Sequence, residues 1–397
     1  VPTLTDLLQW LCLLPVVGGS VYGLLCVPAV RTFCRQRAAI PSRPAQAESP
    51  FADGTWPPVT VLKPVHGLEK NLKSNLRSIC LQEYPRYQVV FSAQRVDDPA
   101  IPLLHELQQE FGPERVSVVV KNIQAGLNGK VNNLLGALTE ARHDILVISD
   151  SDILLRPDYL KTVVAPLADP NVGAVNPLFK AVCADRWYEK LELLSMNADF
   201  MPSVVFAHMT GASNFCMGQS IAMRRATLEA IGGLESLADY LVEDYEIGRR
   251  IWESGRKMAI VPYFIEAVVD LKSLPHWWGH QVYWDQNTRA ARPGGFFATV
   301  FTRSVPFALA YALLRMMDPV GIAVLVGALS VRLVTVAVVL VAFRDREGPQ
   351  SLWLLPLRDI LGLVSWGLAF TQRTVIWRGA EFVLTRNGRL VPREVRS

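Results

Sequence analysis

The stretch DILVISDSDILL, Asp144 to Leu155, carries the apolar run Ile145 to Ser149 into Asp150, Ser151 and Asp152. Residues i and i+2 of an extended chain project to one side, so the two carboxylates can share a hard divalent cation. Mg2+ or Mn2+ held there would neutralise a diphosphate and help it leave. A turn in which aspartate caps the next segment is the plainer alternative. Two further acids, Asp97 and Asp98, precede Pro99 in QRVDDPA. They could accept hydrogen bonds from an imide N–H or a ribose hydroxyl, or could simply start an Asp-Pro turn. Lys63 closes the apolar run VTVL, and Lys130 opens a helical stretch in LNGKVNN. An ammonium at a helix start suits phosphate, although an exposed lysine is often only solvated. Glu243 and Asp244 stand side by side in LVEDYEIGRRIWESG. Adjacent acids raise one another's pKa, and one of them near a hydroxyl could act as general base. An acidic first turn favoured by the helix dipole accounts for the same pair.

These residues need a frame that brings them together. From Val59, extended runs (VTVL, YQVVFSAQ, RVSVVVKN, DILVISDSD) alternate with helical ones (NLKSNLRSICLQ, IPLLHELQQEFG, GKVNNLLGALTEAR). That alternation predicts an α/β domain on a mostly parallel sheet. Ligands bind beyond the carboxyl ends of such strands. Lys63, Asp97-Asp98 and Asp150-Asp152 all follow strand ends, so the pattern gathers them on one edge.

Half of the chain is hydrophobic. Leu7 to Val30 holds no charge and is long enough, at about 24 residues, to span a bilayer. Arg31, Arg35 and Arg37 after it mark the following side as cytoplasmic and favour a retained anchor over a signal peptide. Pro319 to Phe343 and the run SLWLLPLRDILGLVSWGLAFTQ are further candidate spans. The expected order is an anchor (1–31), a Pro-rich linker (32–58), a cytoplasmic catalytic domain (59–292), an interfacial amphipathic segment (293–318), two C-terminal spans (319–376) and a basic cytoplasmic tail (377–397). The net charge of +4 sits near the membrane segments, which points to anionic lipid and away from nucleic acid. Six cysteines without a C-x-x-C pair give no zinc or disulfide framework. HWWGHQVYWDQNTR, just before the apolar block, sets His280, Tyr283, Trp284 and Arg289 where an aromatic membrane belt or the wall of a cleft would lie.

The blocks LKPVHGLEKNLKSNLRSICLQEYPRYQVVFSAQRVDDPAI, GKVNNL, SDSDI, GQSIAMRR and LVEDYEIG, in this order, resemble the ceramide glucosyltransferases, family 21 of the glycosyltransferases. The hopanoid-biosynthesis glycosyltransferases are similar too. The resemblance implies a GT-A fold with N-terminal and C-terminal transmembrane helices, in a bacterial inner membrane. It implies inverting transfer of glucose from UDP-glucose to the primary hydroxyl of ceramide, with Mg2+ or Mn2+. Asp98 is then the aspartate near the uridine, Asp150 the diphosphate–metal aspartate joined by Asp152, and Asp244 the base. Lys63 and Lys130 fall on the nucleotide-sugar side. Glu243, His280, Tyr283, Trp284 and Arg289 fall near the acceptor or leaving group. The family's (Q/R)xxRW motif is altered here to HQVYW, with Tyr283 in place of the arginine. Arg289 or Arg292 could replace it, or the cation could carry more of that work. Other readings are a hopanoid glycosyltransferase using UDP-N-acetylglucosamine, a polysaccharide synthase, and a non-catalytic membrane-anchored nucleotide-sugar or lipid binder.

Overall fold

A computed structural model describes residues 3–36, 48–371, 374–377, 380–385 and 388–392. Pro41 and Pro44 of the expected linker and Arg37, Arg373, Arg378, Arg386, Arg393 and Arg396 lie outside the described residues.

Helix α1 (Leu4–Gln36) leads to β1 (Val59–Pro64), α2 (Leu72–Cys80), β2 (Tyr87–Ala93), α3 (Ile101–Phe111), β3 (Val116–Val120), α4 (Gly129–Leu138) and β4 (Ile145–Ser149). Each of these strands falls inside a run whose apolar residues face both ways, as a sheet covered on both faces requires. Then come β5 (Ile153–Leu154), α5 (Tyr159–Val164), β6 (Val172–Val182), α6 (Trp187–Leu194), a π-helical turn (Ser195–Phe200), α7 (Met201–Met209), β7 (Ser220–Arg224), α8 (Arg225–Ala230), α9 (Glu243–Glu253) and β8 (Lys257–Val268). The eight strands form one sheet in the order β3-β2-β1-β4-β7-β6-β8-β5. It is parallel across β3, β2, β1 and β4, but β7 enters antiparallel to both β4 and β6. β6 and β8 pair parallel and run with the first four strands, so the mostly parallel sheet read from the alternation holds, with β7 and the short β5 reversed. Valines and leucines of β1, β2 and β4 fill a core on each face.

After the sheet come α10 (Leu274–Ala291), α11 (Pro293–Ala298), α12 (Ser304–Leu314), α13 (Pro319–Ala342), α14 (Gly348–Ser351) and α15 (Leu355–Thr371). Helices α1, α13 and the run from Gly348 to Thr371 are long and apolar enough to cross a membrane. Their outward leucines and valines, such as Leu11, Leu24, Val326, Val334 and Val364, are exposed, as lipid-facing residues must be. The segment expected as an interfacial amphipathic strip is different. Residues 293–302 and 304–314 form two helices meeting at 54°. Helix α12 is apolar on all sides and packs against both α1 and α13. With no polar face to turn toward water, it belongs to the helical bundle. Gly19 permits the approach, since a Cβ there would sit 2.6 Å from the Thr302 carbonyl oxygen.

The tail is not merely a basic extension. β9 (Thr374–Trp377), β10 (Ala380–Leu384) and β11 (Leu390–Pro392) make a three-stranded antiparallel sheet. It docks on the loop before α9: Leu241 N donates to Gly388 O at 3.0 Å and Leu390 N to Asp239 O at 2.8 Å. Leu241, Leu384 and Leu390 close the joint with a small apolar cluster. The tail and the sheet domain therefore share one side of the molecule.

Candidate active site

Strand β4 ends where β7 begins to pair. Ser149 lies opposite Ser220, and Asp150 N donates to Gln219 O at 3.1 Å. Lys63 crosses from the end of β1, and its ammonium donates to the Asp150 carbonyl at 2.6 Å and to Ser149 Oγ at 3.2 Å. Lys63 is wholly buried. Burial pushes its pKa down to about 8 against the pull of Asp152, Asp150 and Glu69. It was expected to touch a ligand. It instead lies beneath the loop and fixes the backbone that presents Asp150 and Asp152.

Asp150 reaches outward to the Lys130 ammonium at 2.7 Å. Ser151 donates to Glu69 at 2.7 Å. Asp152 Oδ1 is buried and has no hydrogen-bond partner. Burial, then Asp150 and Glu69, push its carboxyl up to about 7. An acceptor oxygen left bare beside another carboxylate suits a divalent cation. Among the described residues no cluster of three or more His, Cys, Asp or Glu is poised to hold a metal. The protein thus offers two carboxylates, the donor set typical of ions that take their other ligands from phosphate and water.

Asn128 caps α4 by accepting from the N–H groups of Lys130 and Val131, which answers why the helix starts there. Its amide also donates to Glu243 Oε2 at 3.1 Å and to the Tyr240 carbonyl at 2.7 Å. The start of α4 is so tied to the start of α9. Lys130 is not a solvated lysine: its ammonium contacts Asp150, Glu243 Oε1 at 3.2 Å and Gly218 O at 3.2 Å. Burial alone would lower its pKa, but Asp150, Glu243 and Asp244 together raise it, so it stays charged. Asp244 accepts from Tyr245 N at 2.8 Å. Burial and Glu243 push its carboxyl up to about 7, while Lys130 pulls the other way. A carboxyl so poised can take a proton near neutrality. Gly218 makes room for both groups, because a Cβ there would lie 3.0 Å from Asp244 Oδ2 and 3.2 Å from Lys130 Nζ.

Asp98 is buried, and its oxygens already accept from Gly67 N and Ala100 N and face His66 at 3.3 Å. It shapes the loop at the ends of β1 and β2. Asp97 pairs with Arg95 on the surface. His280 lies 3.2 Å from Glu192, and its Nε2 accepts from the Trp284 indole at 2.9 Å. Tyr283 meets the Trp284 ring edge-on at 6.4 Å, lies near enough to Glu243, Asp244 and Lys130 to feel their charge, and packs on the Leu241–Leu384–Leu390 cluster that joins the tail. Arg289 donates to Phe370 O at 3.3 Å and lies over the Phe370 ring at the end of α15. It cannot stand in for the missing motif arginine from there. Glu69, Glu192 and Gly218 went unremarked in the sequence. For Gly218 the signal was present in MGQSIAMRR, a glycine just before a strand that begins beside the acids.

Asp244 also lines a cavity of about 380 Å³ between the sheet domain and helices α1, α10, α13 and α15. The family model for glycosyl transferase family 21 matches residues 13–390. The chain belongs to glycosyl transferase family 21. Curated relatives of this family 21 chain include ceramide glucosyltransferase 1 of Caenorhabditis elegans, 29% identical over 52% of this chain and 45% of its own length. Ceramide glucosyltransferase of Pyricularia oryzae is 28% identical over 60% of this chain and 58% of its own. The chain thus spans about half the length of these relatives. A mannosyltransferase of Pyrobaculum calidifontis, solved with GDP-Man and Mn2+, superposes with a TM-score of 0.50 at 18% identity, covering 91% of this chain and 99% of that one. It supports the GT-A fold of the family 21 chain.

Proposed function

We propose that this chain is a membrane-bound inverting glycosyltransferase that moves glucose from UDP-glucose to the primary hydroxyl of ceramide. The observation that carries the reading is the position of Asp244. It faces Lys130 and Asp150's neighbourhood on the sheet edge and also lines the cavity among the membrane helices. A base at that junction meets both a soluble donor and a lipid acceptor. Asp244 accepts the hydroxyl proton as the acceptor oxygen bonds to the anomeric carbon. The bond to the diphosphate oxygen breaks on the opposite face, so configuration inverts and UDP departs. Lys130 holds positive charge beside Asp150, where the diphosphate would lie. A divalent cation bound by Asp150 and Asp152 would supply Lewis-acid neutralisation of the leaving group. Lys63 and Asp98 act one layer below, fixing the loops.

The names of the curated relatives support a ceramide acceptor and glucose donor. In this reading the domain and tail face the cytoplasm of a bacterial inner membrane. Because they share one side, residues 293–371 cross an even number of times: α13 and α15 span, and the bent α11–α12 pair turns back. The deciding assay offers purified protein a panel of UDP-sugars with ceramide or with a polyol hopanoid and identifies products by mass. Glucosylceramide is the expected product. Transfer of N-acetylglucosamine to the hopanoid alone would move the assignment there, and transfer to neither lipid would overturn it.

A further inference from the structure

The cavity at Asp244 carries more information than its place. Its helix-side wall holds charges at membrane depth, which are costly there and serve function by default. Arg332 of α13 pairs with Asp199 of the π-helical turn at 2.5 Å and with Asp359 of α15 at 2.9 Å. Arg358 pairs with the same Asp199. Asp285 of α10 accepts from Ser365 at 2.6 Å. With Arg303, at the break between the two bent helices, these make three acids and three arginines. Arg292 and Asp244 also line the cavity, so its arginines and acids number four each among the described residues and leave no net positive charge to seat a phosphate.

Two polar atoms on this cavity remain unanswered. Asn287 of α10 is 6% exposed and lines the cavity, and its Oδ1 is buried without a hydrogen-bond partner. Arg303 also lines it, and its Nε–H is buried without a partner. Buried groups of this kind cost stability unless something satisfies them. One is an acceptor, the other a donor, and both belong to residues that line the same cavity as Asp244. The rest of the wall is largely apolar, with Gly23 and Tyr22 of α1 facing Thr335 and Val339 of α13.

We propose that this cavity seats the polar head of the acceptor lipid, with Asn287 and Arg303 as the groups that recognise it. This rests on the acceptor being a lipid, as proposed above. The head it fits is uncharged and carries, besides the reacting hydroxyl, one hydrogen-bond donor for Asn287 Oδ1 and one acceptor for Arg303 Nε. A secondary amide satisfies both, and so does a pair of hydroxyls. Ceramide and a polyol lipid share this chemistry, whereas a phosphodiester head meets no net positive charge here. The apolar chains would pass between α1 and α13 into the bilayer.

The test uses the full chain in nanodiscs. Binding of short-chain ceramide, of a polyol hopanoid and of phosphatidylglycerol is measured for wild type, Asn287→Leu and Arg303→Lys, with KM for each lipid and for UDP-glucose. Arg303→Lys keeps the charge among its acidic neighbours but removes Nε, so it guards against a folding failure in the other variant. Each variant is expected to weaken the neutral lipid roughly tenfold, as loss of one buried hydrogen bond does, with donor KM unchanged. The lipid so affected, ceramide or hopanoid, identifies the source. Unchanged lipid affinity in both variants, or phosphatidylglycerol competing as well as the neutral lipids, overturns the proposal. Lipid binding that responds to the variants in a protein that transfers no sugar would sink the proposed function and leave this site standing. Transfer by wild type with unresponsive variants would do the reverse.

Discussion

Two buried charge clusters lie at opposite ends of Asp244's surroundings, and they are built differently. At the sheet edge, Asp150, Asp152, Glu243 and Asp244, with Glu69 beside them, stand against the ammonium groups of Lys63 and Lys130. Acid is in excess, two of its carboxyls are pushed up to about 7, and Asp152 Oδ1 has no partner. Among the helices, Asp199, Asp285 and Asp359 are matched by Arg303, Arg332 and Arg358. A balanced network holds helices together, because each charge removed leaves another stranded. An unbalanced one is incomplete without a ligand, and what it lacks is positive charge. The contrast separates architecture from chemistry better than burial does, since both clusters are buried.

The contrast breaks most visibly through Arg332. Arg332→Met leaves Asp199 and Asp359 to share Arg358, one acid in excess, and we expect a loss of about 3–5 kcal/mol, read as a lower thermal midpoint in nanodiscs. Asp152→Asn should behave oppositely toward the fold, relieving repulsion and leaving the midpoint unchanged or higher. Its effect falls on the cation: the concentration of Mn2+ or Mg2+ for half-maximal transfer should rise by at least the 10–100-fold typical of disturbed metal sites. Equal destabilisation by the two variants would erase the distinction. A smaller effect comes from pH. Asp244 must be ionised to accept a proton, and its pKa is about 7. Below that value kcat/KM should therefore fall about tenfold per unit, and above it level off. Stability without cation runs the other way. Asp152 and Asp244 titrate near 7 in the fold against 3.8 ordinarily. Their protonated forms favour the fold fully below about pH 4, and that contribution is lost as pH rises through 7. Activity rising while the cation-free midpoint falls across pH 5–8 is the expected signature.

Much of the sheet edge was legible before any coordinates. Short-range patterns carry it: the apolar run into Asp150, the helix start at Lys130, the paired acids at the start of α9. Contacts between distant segments were not legible. Lys63 read as a ligand group because nothing local says that Ser149 and the Asp150 carbonyl, more than eighty residues on, will bury its ammonium. Arg289 read as a spare cation for the missing motif arginine, but the end of α15 claims it. The alternation of strands and helices gave a mostly parallel sheet correctly, but direction within a sheet leaves no local mark, so nothing in it singled out β7 as the strand that runs backward. The C-terminal sheet was hidden behind its arginines, and its grip on the loop before α9 depends on pairing across more than a hundred residues. The balanced helix network was half visible: Arg332, Arg358 and Asp359 stood out as charges in apolar sequence, but Asp199 came from a different domain.

The central claim is that Asp244 acts on the acceptor and not on the donor. Asp244→Asn tests it by calorimetric titration with UDP-glucose and Mn2+, alongside transfer to ceramide. The account predicts donor affinity close to wild type and transfer reduced by about 10²–10⁴-fold, the usual share of a general base. Transfer at the wild-type rate, or loss of donor binding in step with loss of transfer, would contradict it.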